Sequence, residues 1–118
     1  MPHKINYEHM VKTLVKPGEA ILKTLTPDEC HILHMAVGVS GEAGELLDCV
    51  KKAVIYRKQI DMDNLIEELG DLEFYMEGLR QTFDITREQT LDANKVKLGK
   101  RYAGAYSDVA AQTRADKA

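Results

Sequence analysis

The chain has 118 residues, of which 44% are hydrophobic and 30% are charged. This length and composition fit one soluble globular domain, because the chain is too apolar for a disordered tail and too charged for a membrane span. The net charge is −3, from 16 basic and 19 acidic residues. The sequence therefore provides no basic surface for nucleic acid or for anionic lipid, and we expect neither a nucleic-acid nor a membrane partner.

The amino-terminal residues and the cysteines indicate the compartment. The first residues lack the long apolar segment of a signal peptide. Cys30 and Cys49 fall within one predicted helix, where they are too far apart to form a disulfide. We therefore expect a cytoplasmic protein, located in the host cytoplasm if a phage encodes it.

Aliphatic residues recur every three or four positions almost throughout the chain, and the alternation that is typical of strands is missing. The sequence therefore predicts an all-α protein, a bundle of four to five helices. In chain order we predict a helix over residues 5–16, a short helical piece up to Leu25, and helices over residues 27–56, 64–83 and 87–103. We assign residues 1–103 to one helical domain and residues 104–118 to a loosely held polar C-terminal tail.

Three pairs of residues have the spacing of a capping box, in which a polar residue before a helix is followed three positions later by a partner for its backbone. They predict where three of the helices begin. The pairs are Thr26 with Glu29, Asn64 with Glu67, and Thr86 with Gln89.

Two of the predicted helices each carry an apolar seam with a pair of acidic residues beside it. The seams are Ile32, Ala36, Val39, Ala43, Leu46, Val50 and Ala53 on one helix, and Leu65, Leu69, Leu72, Met76, Leu79 and Phe83 on the other. A rotation of about 100° per residue places Glu42 and Glu68 about 60° from their seams, and Glu45 and Asp71 about 120° from them. Because a short connection joins these helices, we expect them to pack antiparallel and to bring the four carboxylates together.

Four neighbouring carboxylates repel one another unless protons or cations offset their charge. Mg²⁺ prefers oxygen ligands and commonly bridges protein carboxylates to substrate phosphates, so the pattern predicts a magnesium site and a phosphorylated substrate, with Mn²⁺ as an alternative ion. The competing interpretation is that these acids are only the solvated edges of amphipathic helices. The repetition of the pair on two helices favours the metal site.

Polar and basic residues supply candidate contacts to such a substrate. Asn94, Lys97 and Arg101 lie within about 60° of one another on the predicted fourth helix. Lys52 follows Glu45 by seven residues and therefore lies on nearly the same face. Lysine and arginine are suited to binding phosphate, although a solvated surface is the alternative for each of these residues.

The segments at residues 41–48 and 67–75 resemble the MazG-type nucleotide pyrophosphohydrolases of the all-α NTP pyrophosphatase superfamily. The motif of that family is Glu-x-x-Glu, followed after a variable spacer by Glu-x-x-Asp. The four matching positions are Glu42, Glu45, Glu68 and Asp71. Asn94, Lys97 and Arg101 look like the polar and basic positions that face bound nucleotide in small phage and bacterial members.

The resemblance implies a MazG-like helical bundle that forms a homodimer or a dimer of dimers. It also implies that the four acids bind Mg²⁺ and act as the catalytic residues. The implied reaction cleaves a nucleoside or deoxynucleoside triphosphate between the α and β phosphates, giving the monophosphate and pyrophosphate. Two alternatives stay open: a dimeric dUTPase-like hydrolase of the same superfamily, and a non-catalytic helical oligomerisation or regulatory module whose acids form only salt bridges.

Overall fold

The computed structural model describes residues 4–102 and 105–114, and all regular elements within those residues are α-helices. The prediction of an all-α protein is therefore confirmed. The helices are α1 (Tyr7–Leu14), α2 (Gly18–Thr24), α3 (Pro27–Ile55), α4 (Met62–Thr82), α5 (Arg87–Tyr102) and α6 (Asp108–Thr113).

None of the described helices combines the length and the hydropathy that crossing a membrane requires.

The chain divides into two compact units, and the boundary between Leu33 and His34 falls within α3. The first unit contains α1, α2 and the first turns of α3. The side chain of Asn6 caps α1 by accepting a hydrogen bond from the backbone N–H of His9 at 3.0 Å. Pro17, which has an extended backbone, then separates α1 from α2.

Capping boxes begin α3 and α5 as predicted. At the start of α3, the N–H of Thr26 donates to Glu29 Oε1 at 2.9 Å, and the N–H of Glu29 donates to Thr26 Oγ1 at 3.1 Å. Thr86 and Gln89 make the equivalent pair of hydrogen bonds before α5, at 2.8 and 3.0 Å. Each box satisfies two backbone groups that the first helical turn leaves without partners.

The prediction that Asn64 and Glu67 cap the next helix is wrong. Helix α4 begins two residues earlier, at Met62, and its cap is Asp61, which accepts a hydrogen bond from the N–H of Asn64 at 3.0 Å. Aspartate caps a helix as well as asparagine does, and nothing in the intervening residues prevents the extra half-turn. Asn64 therefore lies inside the first turn of α4.

Within the second unit, α3 and α4 pack as an antiparallel hairpin, which confirms the predicted orientation. The backbone of Gly38 lies against the ring of Tyr75, and that of Gly78 lies against the Met35 side chain. Moving forward along α3 thus corresponds to moving backward along α4. This register places Glu42 opposite Asp71.

The buried face of α3 is rotated from the predicted seam. Met35 and Cys49 are buried, and half-buried side chains lie between and beyond them, namely Val39, Glu42, Leu46 and Ala53. The predicted seam residues Ala36, Ala43 and Val50 are instead exposed. They belong to a second apolar face of α3, called here the outer face and made of Ala36, Ala43, Leu47, Val50 and Val54. Because α3 is apolar on two sides, the predicted seam combined part of each.

The buried face of α4 is rotated in the same sense, toward its acidic residues. Leu65, Glu68, Leu72, Tyr75 and Leu79 form a half-buried line with helical spacing, whereas Leu69 and Phe83 of the predicted seam are exposed. Glu42 and Glu68 are consequently part of the surface along which the two helices meet. The sequence predicted that both residues lie beside the apolar seams.

Backbone and side-chain hydrogen bonds form at the end of α4 and at the start of α6. The chain leaves α4 through Asp84, whose φ of 55° allows the N–H of Ile85 to donate to the carbonyl of Arg80 at 2.9 Å. The short helix α6 is absent from the predicted elements. It begins after Ser107, which accepts a hydrogen bond from the N–H of Ala110 at 3.1 Å.

The contact of Gly38 with Tyr75 yields a test of the hairpin register. A Cβ atom at position 38 would overlap the Tyr75 ring close to its attachment point, whereas a Cβ atom at Gly41 would meet nothing within 4 Å. We expect Gly38→Ala to lower the free energy of unfolding by about 1–3 kcal/mol, because Tyr75 is half-buried and has to move. Denaturant unfolding measures the difference.

Gly41→Ala is the matched control, since it lies on the same helix one turn away. It should raise stability by roughly 0.5–1 kcal/mol, because alanine loses less backbone entropy than glycine in a helix. Equal effects of the two substitutions would contradict the close packing of α3 against α4 at Gly38.

Candidate metal centre

Three acidic side chains from the two helices of the hairpin converge. Glu42 lies on α3, and Glu68 and Asp71 lie three residues apart on α4, where that spacing places them on one side of the helix. One carboxylate oxygen from each of the three lies within 4.8 Å of the other two. The structure thus brings together three of the four acids that the sequence pattern selects.

The three carboxylates differ in exposure. Asp71 is exposed, while Glu42 and Glu68 are half-buried between the helices. The Oε2 atom of Glu68 is buried and has no hydrogen-bond partner among the described residues. A buried polar atom without a partner is destabilising, so this oxygen marks a position that a proton or a cation would stabilise.

The electrostatics of the cluster act most strongly on Glu68. Burial raises the pKa of the Glu68 carboxyl above its usual value, and the negative charges of Glu42, Asp71 and Glu45 raise it further. Both causes disfavour the ionised form, the first through lost hydration and the second through repulsion. A cation bound among these oxygens would oppose both.

Glu45 is not one of the three acids whose oxygens converge, and its side chain is exposed. It nevertheless lies near the cluster, since its charge contributes to the raised pKa of Glu68. It also helps to raise the pKa of Lys52, for which the hydrogen bond to Asp48 is the larger cause. The charge of Glu45 thus acts on both Glu68 and Lys52.

The composition of the cluster suits a hard divalent cation. Ligand oxygens on opposite sides of a Mg²⁺ ion are about 4 Å apart, so small side-chain rotations would bring the three carboxylates to coordination distance. All three donors are carboxylate oxygens. Carboxylates suit hard ions such as Mg²⁺ and Mn²⁺ better than they suit softer metals. The partnerless Glu68 oxygen is consistent with such an occupant.

The residues proposed from sequence to bind substrate are distributed over two helices. Lys52 is exposed on α3 and forms an ion pair with Asp48 at 2.9 Å. On α5, Asn94 is exposed and Lys97 is half-buried, and the described residues show no hydrogen bond or ion pair between either one and the three acids. The guanidinium of Arg101 lies 5.9 Å from the centre of the Tyr102 ring. The substrate-binding role of these residues stays a prediction.

The structure also contains a cleft that the sequence did not indicate. It has a volume of about 390 Å³ and opens where α3 ends and α4 begins. Its lining includes Cys49, Lys52, Tyr56, Lys58, Gln59 and Asn64. Tyr56, Lys58 and Gln59 lie in or next to the turn between the helices, where no periodicity marks a residue as part of a site.

Comparisons of the chain with protein-family models, with curated proteins and with solved structures find no match.

The raised pKa of Glu68 yields a prediction about stability and pH. The folded protein binds this proton more tightly than the unfolded chain, so the contribution of Glu68 to stability falls as the pH rises through its raised pKa. Without metal, Glu68→Gln should melt at a higher temperature than the parent at neutral pH. The difference should disappear below a pH of about 4, where the unfolded carboxyl is also protonated.

Thermal unfolding followed by circular dichroism measures this effect. Glu67→Gln is the control, because Glu67 is an exposed glutamate at the neighbouring position of α4. Its melting temperature should change little at either pH. A lower melting temperature for Glu68→Gln at neutral pH would show that the carboxylate is stabilising, and the electrostatic account of the cluster would be wrong.

Proposed function

We propose that the protein is a Mg²⁺-dependent nucleoside triphosphate pyrophosphohydrolase. The observation that carries the proposal is the convergence of three carboxylates from an antiparallel helix pair, with one buried Glu68 oxygen left without a partner among the described residues. The resemblance of the two acidic motifs to those of MazG-type enzymes supplies the reaction. Carboxylates that converge in this way are suited to holding a cation that bridges to phosphate.

Each acid has a role in the proposed reaction. Glu42, Glu68 and Asp71 would hold the ion, and rotation of the exposed Glu45 side chain would add a fourth carboxylate. When bound, Mg²⁺ offsets the charge of the phosphates and lowers the pKa of a coordinated water. Water attacks the α-phosphorus, the bond from that phosphorus to the bridging oxygen breaks, and a carboxylate of the cluster accepts the water proton. The products are a nucleoside monophosphate and pyrophosphate.

The basic residues would bind the phosphates of the substrate. Lys52 follows Glu45 by two turns of α3, and the charge of Glu45 helps to raise its pKa. Asn94, Lys97 and Arg101 on α5 are the further candidates, with Arg101 able to hold two phosphate oxygens through its planar guanidinium. In this proposal the residues on α5 stabilise the leaving pyrophosphate, while the acids act at the α-phosphate.

A substrate screen tests the reaction. Purified protein is incubated with Mg²⁺ and each ribonucleoside and deoxynucleoside triphosphate, dUTP included, and the products are separated chromatographically. We expect at least one substrate to give its monophosphate and pyrophosphate in equal amounts, and EDTA to stop the reaction. Hydrolysis confined to dUTP would select the dUTPase-like alternative, and inorganic phosphate as the first product would contradict the proposed cleavage position.

Variants of the acids distinguish a metal site from structural salt bridges. Glu45→Gln and Asp71→Asn should each lose nearly all activity, whereas the Glu67→Gln control should retain it. Mg²⁺ should raise the melting temperature of the parent, because it binds the folded state, and should raise that of the two inactive variants much less. Absence of Mg²⁺ binding in a calorimetric titration would favour the non-catalytic module.

The proposal includes assembly into a homodimer or a dimer of dimers. The outer face of α3 carries large apolar side chains that are well exposed, with Leu47 at 68% and Val54 at 60% of their full accessibility. A contiguous exposed apolar face is typical of a surface that another chain covers, and burial in a symmetric interface would stabilise it.

Light scattering at micromolar protein concentration tests the assembly. We expect a mass of at least twice the 13.3 kDa of the chain. Leu47→Glu should reduce the mass to that of a monomer, because a charge on the outer face is costly to bury. Gln112→Glu, which places the same charge at an exposed position on α6, should leave it unchanged. A monomeric parent protein would refute this part of the proposal.

A further inference from the structure

The cleft at the turn between α3 and α4 opens at one end of the surface that carries the acidic cluster. Asn64, on its wall, precedes Glu68 by one helical turn, which corresponds to about 6 Å along the axis of α4. Cys49, on its floor, is buried and follows Glu42 by two turns of α3. A ligand of moderate length could therefore reach from the cleft to the acids without leaving the hairpin.

The side chains around the cleft combine three kinds of binding group. Gln59 and Asn64 each carry an amide, which presents a hydrogen-bond donor and an acceptor together. Tyr56 contributes an aromatic ring that is 58% exposed, and Lys52 and Lys58 contribute positive charge. Amides can hydrogen-bond to the edge of a nucleobase, an aromatic ring can stack on its face, and lysines can bind phosphate.

We propose that this cleft binds the nucleobase and sugar of a nucleotide whose phosphates extend toward Glu68. Tyr56 stacks on the base, and the amides of Gln59 and Asn64 hydrogen-bond to its edge. Lys52, which lines the cleft and follows Glu45 by two turns of α3, contacts the phosphates. This inference rests on the proposed function, because the phosphates at the acidic cluster determine which end of the nucleotide enters the cleft.

Calorimetric titration tests the binding directly, without requiring hydrolysis. The probes are the ribonucleoside and deoxynucleoside monophosphates, each with Mg²⁺. We expect at least one of them to bind, and Tyr56→Ala and Gln59→Ala each to raise its Kd about tenfold, as expected for the loss of one stacked ring or of one well-made polar contact. Both residues are exposed, so their truncation should leave the fold intact, which circular dichroism verifies.

Two controls carry the same chemical changes at distant positions in the sequence. Tyr7→Ala removes an exposed tyrosine from α1, and Gln112→Ala removes an exposed glutamine from α6. Neither should change the Kd by more than twofold. With an active enzyme, the two cleft variants should raise KM about tenfold with kcat nearly unchanged, since they remove binding that is equal in the ground state and the transition state.

The alkylation rate of Cys49 tests whether the nucleotide binds in the cleft. Iodoacetamide should alkylate the exposed Cys30 at the same rate with and without nucleotide, whereas bound nucleotide should slow alkylation of Cys49 at the floor of the cleft. Peptide mass spectrometry measures both rates in one sample. Cys30 thus serves as the internal control.

The outcomes separate this inference from the proposed function. If hydrolysis occurs but neither cleft variant changes Kd or KM, the cleft assignment is wrong and the proposed function stands. If no triphosphate is hydrolysed, the proposed function fails, and monophosphate binding that is weakened by Tyr56→Ala and Gln59→Ala would still support the cleft. If no monophosphate binds the parent protein, the cleft proposal is overturned.

Discussion

The close approach of α3 and α4 at two glycines determines the arrangement of the second unit. Without a Cβ atom, Gly38 accepts the ring of Tyr75 against its backbone, and Gly78 accepts the side chain of Met35 in the same way. These two contacts fix how far one helix is shifted along the other. A shift of one helical turn, about 5.4 Å, would separate Glu42 from the acids of α4 and abolish the cluster. The chemistry of the site therefore depends on packing that lies outside it.

The acidic cluster also destabilises the α3–α4 hairpin that brings its residues together. Packing along the surface shared by α3 and α4 removes water from the Glu68 carboxyl and brings the charge of Glu42 toward it, and both effects raise its pKa. Apolar neighbours such as Leu65 and Leu72 offset this repulsion by burying surface on either side of Glu68. The site is thus held in place by interactions that do not involve its own charges, as expected where polar groups are positioned for a ligand.

Signals between neighbouring residues predicted where helices begin better than periodicity predicted which helix face is buried. Capping boxes depend on neighbouring residues only, so Thr26 and Thr86 correctly located the starts of α3 and α5. The direction of the buried face depends on what packs against the helix. Because α3 is apolar on two sides, periodicity could not show that Ala43 is exposed while Glu42 is half-buried. For the same reason, spacing selected Glu45 as a fourth member of the cluster, although its oxygens do not converge with those of the other three acids.

The proposed cation at the acids and the aromatic ring in the cleft give the proposed nucleotide a direction. The acids lie in the middle of the paired helices, Lys52 lies near the end of α3, and Lys58 lies in the turn beyond it. A triphosphate placed with its base toward the acids would bring an uncharged group to the proposed cation, although its phosphates would then meet Lys52 and Lys58 in the cleft. In the opposite direction, the phosphates reach both the cation and Lys52, while the base reaches Tyr56. The proposed cation and the aromatic ring of Tyr56 therefore favour the same orientation, with the α-phosphate nearest to Glu68.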